Sequence, residues 1–435
     1  MSVYVKDFLS QALKDFKIEG LKQRRREIEK YLDFYTGTSI NQYITPYFDS
    51  RSFQEIPVYE ANITKKFINK LSRIYTLGAK RNVNAKYSSY TKNKNVSFKH
   101  LERMTRLIGT IAARIDFDDS LGFSYHPLYY FIPFFDELDP LEPIAITYPL
   151  LNAYDSMDSI DEFNQSYVYW DDEWNIIYNE NGDIIKEEYH GLGRLPFVFL
   201  HREHQIDSFF VEGANDIVNC NQQADITLTE LQLGLRFQMF GQPFATGVPE
   251  ANAMSRGGTD TTIVLPEGAT YGIASPQGNI NGVIDALKFQ IELVALSNHM
   301  YIQFAQDGGE TPSGIALQIK DLEGFEDYKD DIELWRQYEN NVYEIERLKA
   351  EQMGVNLPEK FGVDFIEPEY PKSTQEQIMR DDWDLANGQT TLAKIMVRDN
   401  NDLTLKEAQS IVDENLLTNG VNEEDPIQEQ EEEQK

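Results

Sequence analysis

The stretch from Val211 to Met353 constrains the fold most, because long helical patterns alternate there with loop chemistry. Apolar residues recur at helical spacing from about 212 to 240, and neither Gly nor Pro occurs between Ala214 and Leu233. At about 1.5 Å of rise per residue, the pattern predicts a helix about 40 Å long. The rest of the chain has to be organised around this element.

Residues 241–282 form an insert after that helix. The insert is rich in Gly and Pro and contains one clear strand candidate, Thr261 to Leu265. A second helical pattern follows from Val283 to Ala305. The order of these segments predicts two helices that flank a small loop-rich module.

A glycine-rich loop and a third helix complete the stretch. The run from Gln306 to Pro312 has the composition of a loop, and Ser313 is a plausible N-cap. The helix that begins there can continue to Met353.

The first part of the chain alternates helical patterns with loops. Residues 1–36 have a helical pattern, and they include the basic cluster Arg24, Arg25 and Arg26. This cluster is either a contact to DNA phosphate or an acidic partner, or an ordinary solvated helix face. Asn62 is expected to open a helix that closes at Gly78. A further helix is expected over 98–117, with Ile111 and Ile115 on its apolar side.

From Gly122 to Pro196 the pattern becomes that of short antiparallel strands, because alternating aromatic and apolar runs are separated by turn signals. A last strand is predicted at 195–200. Beyond Met353, a linker punctuated by Pro leads to helices capped by Ser373 or Thr374 and by Thr404. Residues 421–435 carry seven acidic residues and one Lys, and they are expected to be disordered.

Charge and composition restrict the class of protein. The formal net charge is −32, whereas residues 1–110 carry 21 basic and 10 acidic residues. An acidic surface repels phosphate, which argues against non-specific adhesion to nucleic acid. The single cysteine, Cys220, excludes an internal disulfide framework. With neither a signal peptide nor an apolar run of membrane length, the expectation is a soluble intracellular protein.

Catalytic and metal-binding motifs are missing from the sequence. It contains neither a phosphate-binding P-loop motif nor metal-ligand spacing of His and Cys. His201 and His204 lie three residues apart without a nearby Cys, so a metal site is not expected. Cys220 sits in an apolar helical pattern, where a small core residue is the expected role. We therefore expect no cofactor, no metal and no enzymatic activity.

Six stretches follow one another in a fixed order along the chain. They are Tyr31 to Gly37, Ala61 to Leu71 with Leu77-Gly78, Gly193 to Val198, Gly213 to Ile217, Gln242 to Ala245, and Thr311 to Leu317. In this order they resemble the portal, or head-to-tail connector, proteins of tailed bacteriophages.

The resemblance implies an α+β, portal-like fold with eight segments. These are a wing (1–210), a stem helix (211–240), a clip (241–282), a second stem helix (283–305), a tunnel loop (306–312), a long wing helix with its linker (313–371), a short helical crown (372–420) and the acidic tail (421–435). The short chain and slight crown depart from the family pattern.

The resemblance also implies the site residues. The tunnel loop would line a DNA channel, and the clip would contact the terminase large subunit and later the head-completion or adaptor proteins. The tunnel-loop residues are Gln306, Asp307, Gly308, Gly309, Glu310, Thr311 and Pro312; the clip residues are Thr259, Thr261, Ile263 and Leu265.

The family assembles as a ring, typically of twelve subunits, at one capsid vertex. Double-stranded DNA enters and leaves through the ring, and major capsid and scaffold proteins surround it. The implied location is therefore the virion, with assembly in the host cytoplasm and no membrane partner. The resemblance does not explain the basic cluster at Arg24 to Arg26, for which a contact with packaged DNA or an acidic inner capsid surface is a separate hypothesis.

Charge is compatible with this function. Each phosphate neutralised by Lys or Arg strengthens DNA binding, so a conduit works better with an acidic wall. Residues 307–351 carry 13 acidic and 5 basic residues. An ordinary solvated helix face would have the same composition.

Two other functions remain open. One is a different ring-forming scaffold or adaptor without DNA in its lumen. The other is a hydrolase that uses acidic side chains such as Asp207, Asp216 or Glu212. Ring formation separates the hydrolase from the other two, and the width of the lumen separates the portal from the scaffold.

Overall fold

The structure is a computed structural model. It describes residues 14, 19–48, 57–136, 138–150, 166–179, 181–240, 242–247, 267–274, 278–302, 322–366, 374–400 and 403–418. The chain divides into two compact units, one of residues 1–306 and 321–368, the other of residues 307–320 and 369–435.

Helices occur throughout the described part of the chain. They are α1 (Glu19–Thr36), α2 (Asn41–Ile44) with a 3-10 turn (Thr45–Tyr47), α3 (Ile63–Leu71), α4 (Ala85–Tyr90), α5 (Lys94–Ile108), α6 (Asn215–Phe240), α7 (Ile280–Ser297), α8 (Leu322–Gln352), α9 (Thr374–Ala386), α10 (Leu392–Asp399) and α11 (Leu405–Thr418).

All described strand pairs are antiparallel. The strands are β1 (Ala79–Arg81), β2 (Thr110–Asp118), β3 (Gly122–Leu128), β4 (Ile132–Asp136), β5 (Asp139–Leu150), β6 (Ser166–Trp170), β7 (Trp174–Asn179), β8 (Ile184–Tyr189), β9 (Phe197–His201), β10 (Gln242–Thr246), β11 (Thr270–Ala274) and β12 (Val363–Phe365). They form sheets of order β3-β2-β9, β4-β5-β6-β7-β8, β1-β12 and β10-β11. The expected α+β class and the antiparallel region after Gly122 are confirmed.

The helix predicted over 98–117 is wrong in its second half. Helix α5 ends at Ile108, and Gly109 adopts a φ of 93°, which belongs to the left-handed region. A Cβ at Gly109 would lie 2.1 Å from the carbonyl oxygen of Val211, so only Gly fits. Ile111 and Ile115 therefore belong to β2, the central strand of the three-stranded sheet. Helix and strand are hard to distinguish in such apolar runs.

Helix α3 begins as predicted but ends earlier. The side chain of Asn62 accepts a hydrogen bond from the backbone nitrogen of Lys65 at 3.0 Å, which confirms the N-cap. The helix ends at Leu71 rather than at Gly78. Beyond it, the buried carboxylate of Glu102 accepts hydrogen bonds from the backbone nitrogens of Ile74 and Tyr75. This distant side chain replaces the helical hydrogen bonds, and local sequence cannot reveal it.

The main core lies between α5, β2 and α8. Phe98, Leu107 and Ile111 are buried there together with Trp335 of α8, and the ring of Tyr75 meets the Trp335 ring edge-on at 5.3 Å. The burial of these aromatic rings positions the long helix α8 against the sheet.

A buried ionic network ties α8 to the helices before it. Lys94 lies between Glu339 and Glu346, with Nζ–O distances of 3.2 and 2.9 Å, and all three side chains are fully buried. Arg81 forms an ion pair with Glu339, and the hydroxyl of Tyr87 donates to Glu346 at 2.7 Å. Burial alone would raise the pKa of Glu339, but Lys94 and Arg81 more than offset it and lower the pKa.

The five-stranded sheet alternates its side chains between two apolar clusters. Tyr167 and Tyr169 of β6 contact one cluster, whereas Val168 and Trp170 contact the cluster that contains Phe197. This period of two places the second cluster against β9 of the neighbouring sheet.

The second unit has a small core of its own. Ala393 of α10 packs with Ala408 and Val412 of α11. The predicted cap at Thr404 is confirmed, because its hydroxyl accepts a hydrogen bond from the backbone nitrogen of Glu407 at 3.4 Å. The Glu407 carboxylate in turn accepts from the backbone nitrogen of Thr404 at 2.9 Å. Helix α10 was missing from the sequence-based expectation.

The same holds for several short elements of the first unit. They are helices α2 and α4 and strands β1, β10, β11 and β12.

Candidate functional site

Helices α6 and α7 pack together and carry the two-stranded β10-β11 sheet at their outer end. We call this element, residues 215–247 and 267–297, the arm. The strands pair from Gln242 with Ala274 to Thr246 with Thr270, and the Gln238 side chain donates to the carbonyl of Gly278 at 3.3 Å. The predicted order of helix, insert and helix is confirmed in the described part, although the second helix ends at Ser297 rather than at Ala305.

Buried polar side chains fix the inner half of α6. Asn221, Asp225 and Thr229 are spaced four residues apart, so they lie along one face of the helix. Asn221 accepts a hydrogen bond from the backbone nitrogen of Thr64 at 2.8 Å. Asp225 and Thr229 accept from the backbone nitrogens of Ala61 and Tyr59 at 2.7 and 3.1 Å. Helix α6 is therefore fastened to the segment that leads into α3.

Sequence reasoning missed this polar row. The available signal was the four-residue spacing of polar residues within an otherwise apolar helical pattern. Burial raises the pKa of Asp225 to about 7, above its usual value of 3.8. The row therefore places a carboxyl group with a pKa of about 7 in the inner half of α6, where the arm joins the rest of the fold.

Helix α7 is apolar over most of its surface, yet Ala295 is its only fully buried residue. Ile291 and Val294 on one face pack against the main core. Phe289, Leu293 and Leu296 lie on the opposite face, and they are 66%, 54% and 59% exposed. We call these three side chains the α7 face. A helix that is apolar on both sides is normally covered on both sides.

The C-terminal end of α7 is joined to the start of α6 by the buried side chain of Asn298, which directly follows the helix. Its amide nitrogen donates to Asp216 at 2.6 Å, and its oxygen accepts from Arg202 at 3.2 Å. These bonds hold the start of α6 and the end of α7 together.

The described residues that precede and follow residues 303–321 lie close together. On the outgoing side, Met300 is buried, and Lys70 donates to the carbonyl of Tyr301 at 2.6 Å. His299 forms a 2.6 Å contact with Asp327 of α8, on the returning side. A Cβ at Gly324 would lie 3.0 Å from the His299 carbonyl oxygen, so the two ends are in close contact. The predicted tunnel loop thus belongs to a segment with both ends held together.

The predicted tunnel-loop residues, Gln306 to Pro312, and the predicted clip residues lie outside the described residues. The same holds for the strand expected at 261–265, for the cap expected at Ser313 and for the acidic tail. These assignments remain predictions. In the described part, β10 and β11 are the strands that begin and end the clip segment.

The basic cluster has partners inside the chain. The guanidinium of Arg24 stacks on the Phe210 ring at 3.9 Å and donates to the carbonyl of Thr110 at 3.2 Å. Burial lowers its pKa to about 10. Arg25 pairs with Glu29 at 3.0 Å, while Arg26 is exposed. These contacts give the cluster a structural role, and its external contact stays a prediction.

The described side chains that bear on the hydrolase alternative are buried, hydrogen-bonded within the fold or exposed. Burial raises the pKa of Cys220 to about 11 and lowers that of His201 to about 4. Asp216 accepts the hydrogen bond from Asn298, while Asp207 and Glu212 are exposed. Among the described residues, no group of His, Cys, Asp and Glu has the arrangement of a metal site.

Comparisons with known proteins add no assignment. No protein-family model matches the chain, and a search of curated proteins finds no significant match. In the part of the chain that the structure describes, every helix is too short or too polar to cross a membrane.

Proposed function

We propose that this chain is the subunit of a phage portal, a homo-oligomeric ring through which double-stranded DNA passes during packaging and ejection. The observation that carries the proposal is the α7 face. Phe289, Leu293 and Leu296 are more than half exposed in a single copy. Complete burial of one such side chain stabilises an assembly by about 1.5–3 kcal/mol.

The order of elements supports the same function. A long helix, a two-stranded insert, a second helix, a segment with joined ends and the helix α8 follow one another, as in the portal family that the sequence resembles. In this assignment, α6 and α7 are the stem, and the β10-β11 module with the residues between its strands is the clip. The tunnel loop is residues 306–312, and the crown is residues 372–420 with helices α9 to α11.

Another copy of the chain is the partner that best fits the α7 face. Leu235 on the outer half of α6 is also exposed. Each arm therefore has apolar residues on both of its helices. Repetition of one heterologous contact closes a ring when the rotation between copies allows it.

The proposed partners follow from this ring. Glu339 and Glu346 are buried with Lys94, so an acidic wall along which DNA slides without being held would use the exposed acids of the same helix. These are residues such as Glu326, Asp330 and Glu333. The clip would contact the terminase large subunit and later head-completion or adaptor proteins. Capsid and scaffold proteins would surround the ring in the virion and, during assembly, in the host cytoplasm.

Mass photometry and negative-stain electron microscopy of the purified chain test the proposal. The wild-type protein should form rings with a lumen wider than duplex DNA. The Phe289→Glu/Leu293→Glu variant should remain monomeric, because it places charges on the α7 face. Ile206→Glu is the matched control, since Ile206 is 90% exposed outside the arm. It should assemble normally.

Two results would oppose the proposal. A wild-type chain that remains monomeric at high concentration and with a scaffold protein present excludes the ring. Rings with a lumen too narrow for a duplex favour the scaffold or adaptor without DNA.

A further inference from the structure

Two segments of the chain have opposite charge. Residues 61–101 contain ten basic residues and no acidic residue. The described residues between 136 and 188 contain nine acidic residues and one basic residue. The first segment, which we call the basic block, includes α3, β1, α4 and the start of α5. The second, which we call the acidic sheet, includes β5 to β8.

The two segments lie on opposite sides of α8. At 3.6 residues per turn, Glu339 and Glu346 share one face of this helix, and Asn341 lies on the other. Glu339 and Glu346 contact Arg81 and Lys94 of the basic block. Elsewhere α8 packs on β2 and β9, and Asn341 faces the acidic sheet across a groove.

This groove has a volume of about 800 Å³. Asn341 and Tyr338 of α8 line it together with Glu142 and Asp172 of the acidic sheet. Phe197, Phe209 and Arg194 also line the groove, so its lining is partly aromatic and carries more acidic than basic residues.

Both surfaces carry charges that are accessible to a partner. Lys80, Lys86 and Lys92 of the basic block are exposed, on elements that pack against the Glu339 side of α8. Glu142, Asp172 and Glu173 of the acidic sheet are exposed as well.

From this arrangement we propose that the acidic sheet of one copy docks against the basic block of the next copy in the ring. The proposal rests on the ring proposed above and adds a second, ionic contact outside the arm. Opposite charges on opposite sides of one copy produce a head-to-tail contact, which is the type that closes rings. Duplex DNA is the competing occupant of the basic block. The acidic sheet favours a second copy, because it supplies a complementary surface on the same chain and repels phosphate.

Charge-reversed variants test the contact. The reversed-basic variant carries Lys80→Glu, Lys86→Glu and Lys92→Glu, and the reversed-acidic variant carries Glu142→Lys, Asp172→Lys and Glu173→Lys. In either variant alone, neighbouring copies would present like charges to each other. We expect the ring fraction in mass photometry to fall by about a hundredfold, because like charges in contact cost several kcal/mol.

Mixing the two variants in equal amounts should restore rings. In an alternating ring, every contact would again join an acidic surface to a basic one. The matched control carries Lys22→Glu, Lys394→Glu and Lys406→Glu, which change the net charge as much as the reversed-basic variant does but lie on exposed positions of α1, α10 and α11. It should assemble like the wild type. Raising the salt from about 0.05 M to about 0.5 M should weaken wild-type assembly, because salt screens exposed charges.

Several outcomes would overturn the inference. One is a variant that is folded by circular dichroism and assembles like the wild type, and another is a mixture that fails to form rings. A reversed-basic variant that assembles normally but loses binding to a short DNA duplex in a gel shift would assign the basic block to DNA. In each case, rings that are disrupted by Phe289→Glu/Leu293→Glu would leave the proposed function standing. A monomeric wild type would overturn both proposals.

Discussion

The Nζ atom of Lys94 lies 2.9 Å from Oε1 of Glu346, and both side chains are fully buried. These residues are far apart in the chain, so their ion pair connects the start of α5 to the second half of α8. A charge this deep is stable only when it is paired and hydrogen-bonded. The pair and its neighbours therefore determine how α8 is placed against the sheet.

The first prediction is that Lys94→Met destabilises the protein by about 3–5 kcal/mol, because it leaves Glu346 buried without its cation. Urea unfolding followed by circular dichroism measures the change. Lys92→Met, on an exposed side chain just before the same helix, is the control and should change stability little. The double variant Lys94→Met/Glu346→Gln should lose less than Lys94→Met alone. Equal stability of Lys94→Met and wild type would contradict a role for the ion pair.

The second prediction concerns pH. Burial raises the pKa of Asp225 to about 7, so the folded state binds this proton more tightly than the unfolded state does. The resulting stability is fully present below the unfolded pKa of 3.8 and is lost as the pH rises through about 7. One such group changes the free energy of unfolding by up to about 1.4 kcal/mol per pH unit.

Urea unfolding between pH 5 and pH 8 checks the Asp225 effect, and Asp225→Asn should reduce the slope. Burial also raises the pKa of Glu102 to about 7, so part of the slope should persist in the variant. The control is Asp172→Asn at an exposed position, which should keep the wild-type slope. An unchanged slope in Asp225→Asn would show that Asp225 is not the titrating group.

The third prediction is that Gly109→Ala is more damaging than Gly193→Ala. Both glycines have a positive φ, but a Cβ at Gly193 would meet no atom within 4 Å. Gly193→Ala therefore tests the backbone strain alone, which costs about 1–2 kcal/mol. Gly109→Ala adds a clash with the Val211 carbonyl. Thermal unfolding should show the lower melting temperature for Gly109→Ala, and the reverse order would refute the explanation for the end of α5.

The fourth prediction concerns Asn298, which joins the end of α7 to the start of α6. Asn298→Ala should cost about 1–3 kcal/mol, because it leaves the buried groups that Asn298 joins without their partner. Hydrogen exchange should accelerate in the last turns of α7. Asn279→Ala, which removes only the exposed N-cap of the same helix, should cost less and should accelerate exchange at the opposite end. Uniform acceleration along α7 in both variants would argue against a local joint at Asn298.

Part of the candidate site was readable from periodicity and capping. The apolar spacing between Val211 and Ser297 predicted two helices around an insert, and Gly and Pro marked that insert. The exposure of the α7 face could not be predicted from the sequence. The spacing of Phe289, Leu293 and Leu296 is the same whether the helix is covered by its own chain or by another copy.

Local chemistry alone determined several features of this protein. Asn62 caps α3 and Thr404 caps α11, because both side chains reach backbone groups only three residues away. Alternation marked the strands after Gly122 for a similar reason, since a period of two depends on neighbouring residues.

Only the tertiary structure decided the features that join distant residues. Gly109 ends α5 because Val211 approaches its backbone, and Lys94 is a core residue because α8 supplies two carboxylates. The short strand β1 pairs with β12 at the far end of the unit's sequence, and neither strand is long enough to be recognised alone. The physical reason is common to all three: a contact between residues far apart in the chain leaves no periodic pattern in either segment.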